Sequence, residues 1–148
     1  MADGRKVVLD SGVLVGLVLA DEPWHVRAHE VLRDVAAGLL VPMVAPNVRF
    51  DVRNALVRAA RRGRIAWERV IPGLTAIDAL RLPVGRIAYL DQDLVELCRS
   101  LGLAWGDAHP VLLAQRYGAA LVTADRRLVR TLERVPIWVE SIADRPPG

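Results

Sequence analysis

Four aspartates carry the chemistry open to this sequence. Asp10 ends the apolar run Lys6-Val7-Val8-Leu9, and Asp125 ends a second run, Ala119 to Ala124. Asp107 stands at the start of a late helix, and Asp51 borders the apolar stripe of a mid-chain helix. Any one of them is most often a helix cap; the conjunction says more. Two carboxylates about 4 Å apart repel by ~4 kcal/mol at a surface-like dielectric, comparable with much of a domain's net stability. Such a cluster must protonate, pair with arginine or hold a cation. With oxygen ligands alone and no Cys or His cluster, the cation is Mg²⁺ or Mn²⁺. Beside an Arg-rich surface, that arrangement points to cleavage of a phosphodiester by a metal-activated water.

Other nucleophiles are missing. Cys98 lies on the apolar face of a helix, the serines lack a GxSxG setting, and neither a Walker loop nor GxGxxG occurs. His25 and His29 lie one helical turn apart, but HExxH is absent and no acid stands at a ligand spacing, so the pair reads as solvated.

The aspartates need elements to position them. A continuous apolar run ending in Asp-Ser just before a helix reads as a buried parallel strand, and ligands in open α/β sheets sit at the carboxyl ends of such strands. After it come a helix over Val13 to Ala20, a second begun by Pro23 and ended by Gly38, and a short buried strand over Leu39 to Ala45. Pro46 opens a helix to about Arg62, with Val48, Val52, Ala55, Leu56 and Ala59 inward. Arg58 and Arg62 stack near Asp51 and are candidate phosphate contacts, while Arg49, Arg53, Arg61 and Arg64 project elsewhere. A helix over Ile65 to Leu80, with Trp67, Val70, Ile71, Leu74 and Ile77 inward, should kink at Pro72-Gly73. Pro83 to Ala88 reads as a weak strand and Asp91 as the cap of a helix stopped by Gly102. Asp91, Asp93 and Glu96 suit the positive end of that helix and stay outside the site. Asp107 should cap an apolar helix ending at Tyr117-Gly118, with Pro110 in its first turn. A strand to Thr123, a helix over Leu128 to Arg134 and an edge strand over Ile137 to Val139 complete the chain.

This alternation predicts a three-layer α/β/α domain around a mainly parallel sheet of four to five strands. With 148 residues, the chain is expected to be one domain, residues 1–148, able to bury roughly 70% of its unfolded surface, with a loose tail from about residue 141. It is 53% hydrophobic and 25% charged, which argues against disorder. Asp10 and Asp21 bracket the longest apolar candidate, too short to span a bilayer, and a secretory signal is not expected because Asp10 breaks the apolar region and Asp21-Glu22 stands where small cleavage-site residues would be needed. The single cysteine forbids an internal disulfide, so a cytoplasmic location is expected and no membrane partner. The net charge is +3, and of twenty basic residues all but Lys6 are arginine, whose forks match phosphate oxygens.

Taken together, Val8-Leu9-Asp10-Ser11, Asp51-Val52-Arg53-Asn54-Ala55-Leu56, Gly106-Asp107-Ala108 and Leu121-Val122-Thr123-Ala124-Asp125 resemble the PIN domain, in particular the VapC-type toxins of toxin–antitoxin pairs. The resemblance covers nearly the whole chain. It implies a Mg²⁺- or Mn²⁺-dependent endoribonuclease that cuts RNA, is silenced by a cognate antitoxin and forms a homodimer. Asp10, Asp107 and Asp125 match the family's metal-site aspartates, and Asp51 falls where the family has glutamate, so Asp51 would reach the metal through a water. Ser11 and Thr123 match its hydroxyl positions, implying hydrogen bonds to the carboxylates or to a metal-bound water. Gly106 replaces a frequent aromatic residue, and His109-Pro110 departs from the usual pattern. Two other readings compete. One is a PIN-like module that binds RNA or antitoxin without cutting. The other is a haloacid-dehalogenase-like phosphatase, which needs a second Asp where Gly12 stands. A response-regulator receiver would need a late lysine, and Lys6 is the only one.

Overall fold

The computed structural model describes residues 3–87 and 91–143. Its centre is a four-stranded, wholly parallel sheet in the order β2-β1-β3-β4, formed by β1 (Arg5–Leu9), β2 (Leu40–Met43), β3 (Ala120–Thr123) and β4 (Val139–Ser141). Seven helices lie in the described residues: α1 (Ser11–Val18), α2 (His25–Ala36), α3 (Val48–Arg61), α4 (Val70–Ala79), α5 (Asp91–Leu101), α6 (Trp105–Tyr117) and α7 (Arg126–Thr131). The expected three-layer α/β/α arrangement is the one found.

Side-chain alternation divides the core between the two faces of the sheet. Val7, Leu9, Ala120 and Val122 pack with α1 to α4 on one face. Val8 and Leu121 pack with Val111 and Leu113 of α6 and Leu128 of α7 on the other. Val8 pairs with Leu121 and Leu9 with Val122. Asp10 then continues the ladder, its N–H donating to Val122 O at 3.0 Å. Because the central strands are parallel and in this register, both acid-bearing ends open on one edge.

Several elements depart from the pattern reading. β2 is the sheet edge, so it is half-exposed rather than buried. α2 begins at His25, not Pro23. The region from Ile65 is two pieces, a 3₁₀ turn over Trp67–Arg69 and then α4, rather than one kinked helix. Pro72 falls in the first turn of α4, where an N–H has no intrahelical acceptor, so no kink is needed. Trp67 and Ile71, expected inward, are 54% and 69% exposed, whereas Val70, Leu74 and Ile77 are buried. The weak strand after Pro83 contracts to one bridge, Val44 with Val84; Ala88 lies outside the described residues. α7 starts earlier than expected, directly after Asp125, and β4 lies two residues later. Ile142, just beyond β4, is fully buried. Residues 144–148 of the tail lie outside the described residues. No helix among the described residues is long and apolar enough to cross a membrane.

Candidate active site

The carboxyl edge of β1 and β3 gathers the acids. Asp10 occupies the N-cap of α1, and its Oδ1 accepts from the Ser11 backbone N–H at 2.9 Å. Its Oδ2 accepts from Thr123 Oγ1 at 2.7 Å. Thr123 is completely buried, and its oxygen in turn accepts the Asp125 N–H at 3.1 Å. One hydroxyl therefore ties the ends of both strands together. The Ser11 contact with Asp10 runs through the backbone. Asp125 caps α7, its Oδ1 accepting from the N–H groups of Arg127 and Leu128 at 2.9 and 3.1 Å.

Asp107 does not cap α6 as the sequence suggested. Ala104 holds the cap position, and Asp107 is an acid in the first turn, still favoured by the helix dipole. Pro110 lies beyond that first turn, inside α6. Its missing N–H removes the normal helical donor to Gly106 O. The Asn47 side chain supplies a replacement, Nδ2 donating to Gly106 O at 3.2 Å and to Asp51 Oδ2 at 2.7 Å. Asn47 thus sets the carboxylate of Asp51 while bridging α3 to α6. A Cβ on Gly106 would stand 3.3 Å from Asn47 Nδ2 and 3.7 Å from Asp51 Oδ2. The glycine where an aromatic residue was the expectation therefore leaves space for this bridge.

Asp107 links the acids electrostatically, acting on Asp10 and feeling both Asp125 and Asp51. Burial pushes the Asp10 carboxyl up to about 6, against the pull of its Thr123 and Ser11 hydrogen bonds, with Asp107 and Asp125 adding repulsion. Burial raises Asp107 as well, reinforced by Asp125 and Asp51 and opposed by Arg127. Asp51 is raised by burial and drawn back by His109 and Arg58. Of the two candidate phosphate contacts, Arg58 acts on Asp51. Arg62 is exposed at the end of α3. Arg49 and Arg53 are tied to Asp78, and Arg64 to Asp21 and Glu22. Asp93 and Glu96, kept out of the site, pair with Arg116 and Arg99. His25 and His29 are not simply solvated. They stack edge to face, each with a ring nitrogen on a carbonyl at the end of α1, Gly16 O at 2.6 Å and Leu17 O at 3.3 Å.

The site opens as a cleft of about 390 Å³ walled by Leu101 to Ala104, Asp107, Asp125, Arg127, Leu128 and Thr131. Asp10, Ser11, Asn47 and Asp51 line a narrow crevice beside it. A larger hollow of about 530 Å³, walled in part by Ile87, Leu94, Leu112 and Leu113, contains none of the four aspartates. The acid cleft is therefore the candidate site.

The donors suit a hard divalent cation, since all are oxygens. Among the described residues no three Asp, Glu, His or Cys side chains close up tightly enough to enclose a bare ion. A Mg²⁺ ion here would be held in part through its waters, of which it keeps several. Asn47 Oδ1 fits the same arrangement, being buried without a hydrogen-bond partner among the described residues; it is an acceptor of the kind an ion-bound water satisfies. Asn47 was missed in the sequence. The available signal was Pro110 itself, which leaves Gly106 O needing a donor from elsewhere.

The PIN domain family model matches residues 7–133. No curated protein matches the chain by sequence. Among solved structures, the chain is similar to PAE2754 from Pyrobaculum aerophilum, with a TM-score of 0.66, 21% identity and coverage of 94% of this chain and 90% of that one. It is similar to VapBC2 from Rickettsia felis, solved bound to a DNA fragment from the promoter, with a TM-score of 0.66, 16% identity and coverage of 93% and 98%. A third is VapC20 from Mycobacterium tuberculosis, described as a sarcin–ricin-loop-cleaving toxin, with a TM-score of 0.62, 20% identity and coverage of 84% and 93%. The family match spans all four aspartates and the strands and helices that hold them, and the chain belongs to the PIN-domain family.

Proposed function

We propose that this chain is a Mg²⁺- or Mn²⁺-dependent endoribonuclease and the toxin of a toxin–antitoxin pair. The observation that carries the reading is the meeting of Asp10 and Asp125 at the carboxyl ends of β1 and β3, joined through the Thr123 hydroxyl, with Asp107 of α6 close enough to act on Asp10. Carboxylates that repel one another in this way are stabilised by a cation or by protons. Asp10, Asp107 and Asp125 would hold the metal, with Asp51 reaching it through a water. When bound, the metal would lower the pKa of a water and offset charge on the departing oxygen.

The chain's own groups divide the remaining work. Thr123 and the Ser11 backbone N–H fix both oxygens of Asp10. Asn47 aims Asp51. Arg58 supplies positive charge where the phosphodiester would lie, and Arg62 extends it along α3. The VapC and VapBC character of the structural neighbours supports a protein antitoxin as partner, and a homodimer is the assembly we propose. The lone Cys98 is in keeping with a cytoplasmic setting. Membership of the PIN family sets the phosphatase reading aside.

A second reading, an RNA- or antitoxin-binding module that does not cut, draws on the spacing of the carboxylates. One assay separates the two. Purified protein free of antitoxin is incubated with varied RNAs and Mn²⁺ or Mg²⁺, with and without chelator. Cleavage that chelator stops is the expected result, and intact RNA with both metals would favour the binding module.

A further inference from the structure

The cleft over Asp107 and Asp125 has one cationic wall, Arg127. Its guanidinium is exposed and acts on Asp107 through space, yet it makes no ion pair or side-chain hydrogen bond among the described residues. Elsewhere in the structure an arginine near a carboxylate closes on it: Arg5 on Glu140 at 2.7 Å, Arg53 on Asp78 at 2.8 Å, Arg64 on Asp21 at 2.9 Å. Arg127 stays open at the cleft mouth. Arg58 is its counterpart, exposed on α3 and acting on Asp51 through space. The two arginines approach from opposite sides of the sheet, because α3 packs in one core and Leu128 of α7 in the other. A polyanion crossing this edge must pass four carboxylates, and its phosphates need cations on both sides of them.

We propose that Arg127 binds a backbone phosphate of an RNA strand, flanking the phosphate to be cut, with Arg58 on the far side, so that the strand runs across the sheet edge from α3 to α7. This rests on the nuclease reading and adds the path of the substrate. Arginine suits the role because its planar fork matches phosphate oxygens.

The test measures binding apart from cutting. Arg127→Gln and Arg127→Lys are each made in an Asp10→Asn background, and a labelled single-stranded RNA of mixed sequence is titrated in Mg²⁺ at several salt concentrations. Arg127→Gln should weaken binding severalfold and flatten the slope of log affinity against log salt by about 0.7, the value for one lost contact to a single strand. Arg127→Lys, which keeps the charge, should retain most of the slope, and both should melt with the parent. Unchanged affinity and slope in Arg127→Gln would overturn the proposal and leave Arg127 to a carboxylate of a protein partner. Equal flattening of the salt slope in the Gln and Lys variants would also overturn it, since a retained charge would then make no phosphate contact. Wild-type protein that neither binds nor cuts the same RNA with Mg²⁺ or Mn²⁺ would sink the nuclease reading itself.

Discussion

Asp10 is where the competing demands on one residue are plainest. It caps α1, accepts a buried hydroxyl and sits in the field of two other carboxylates. The first two roles favour the ionised form, and burial with repulsion opposes it; the balance leaves the group near 6. Asp10→Asn keeps a side-chain oxygen for the Ser11 N–H and removes the charge. It should abolish metal-dependent cleavage while the metal-free protein melts no lower than wild type, measured by RNA cleavage and thermal unfolding side by side. Wild-type cleavage in the variant would remove Asp10 from the catalytic set. Thr123→Val probes the same group from the other side. It leaves Asp10 Oδ2 and the Asp125 N–H without their shared partner, a loss of about 1–3 kcal/mol for buried polar groups, and should lower both stability and activity.

At the scale of elements, the α3–α6 junction turns on an exchange of hydrogen-bond donors. Pro110 deprives Gly106 O of its helical N–H, and Asn47 replaces it while holding Asp51. Asn47→Ala should therefore cost about 1–3 kcal/mol and reduce cleavage. Pro110→Ala restores the helical donor and should recover part of that stability in the double variant without recovering the aim of Asp51. Strict additivity in a double-mutant cycle would show that the two residues do not share this carbonyl. This junction also marks how far sequence could be read. β1, β3 and the acids at their ends were legible because buried parallel strands are unbroken apolar runs and an acid ending one is conspicuous. The ends of α4 and α6 were not. Where helix periodicity placed Trp67 and Ile71 inward, a 3₁₀ turn reset the phase of the following helix. Asn47 escaped notice because its role depends on a carbonyl 59 residues away, and no local pattern encodes such a contact. Arg58 was proposed from its helical spacing to Asp51, whereas Arg127 reaches Asp107 only through the fold.

For the whole molecule, the acid cluster should make stability depend on pH and metal in opposite senses. The Asp10 carboxyl titrates at about 6 in the folded chain against a reference of 3.8. Its contribution is therefore present in full below the unfolded value and is lost as pH rises between about 4 and 6, on the order of 3 kcal/mol for a shift of this size. Burial raises Asp107 and Asp51 too, so they act in the same direction. Asp21, Asp78 and Glu96, lowered by their arginine partners, act oppositely, but exposed pairs contribute little. Comparing wild type with Asp10→Asn isolates the buried group. Without metal, wild type should lose stability relative to the variant as pH climbs through this window. Saturating Mg²⁺ or Mn²⁺ binds the ionised carboxylates of the folded state and not the unfolded chain, so it should reverse the sign, with wild type gaining on the variant towards neutral pH. Melting curves of both proteins across this range, with chelator and with metal, decide the matter. Parallel curves in all four series would mean that Asp10 neither feels its neighbours nor meets a cation.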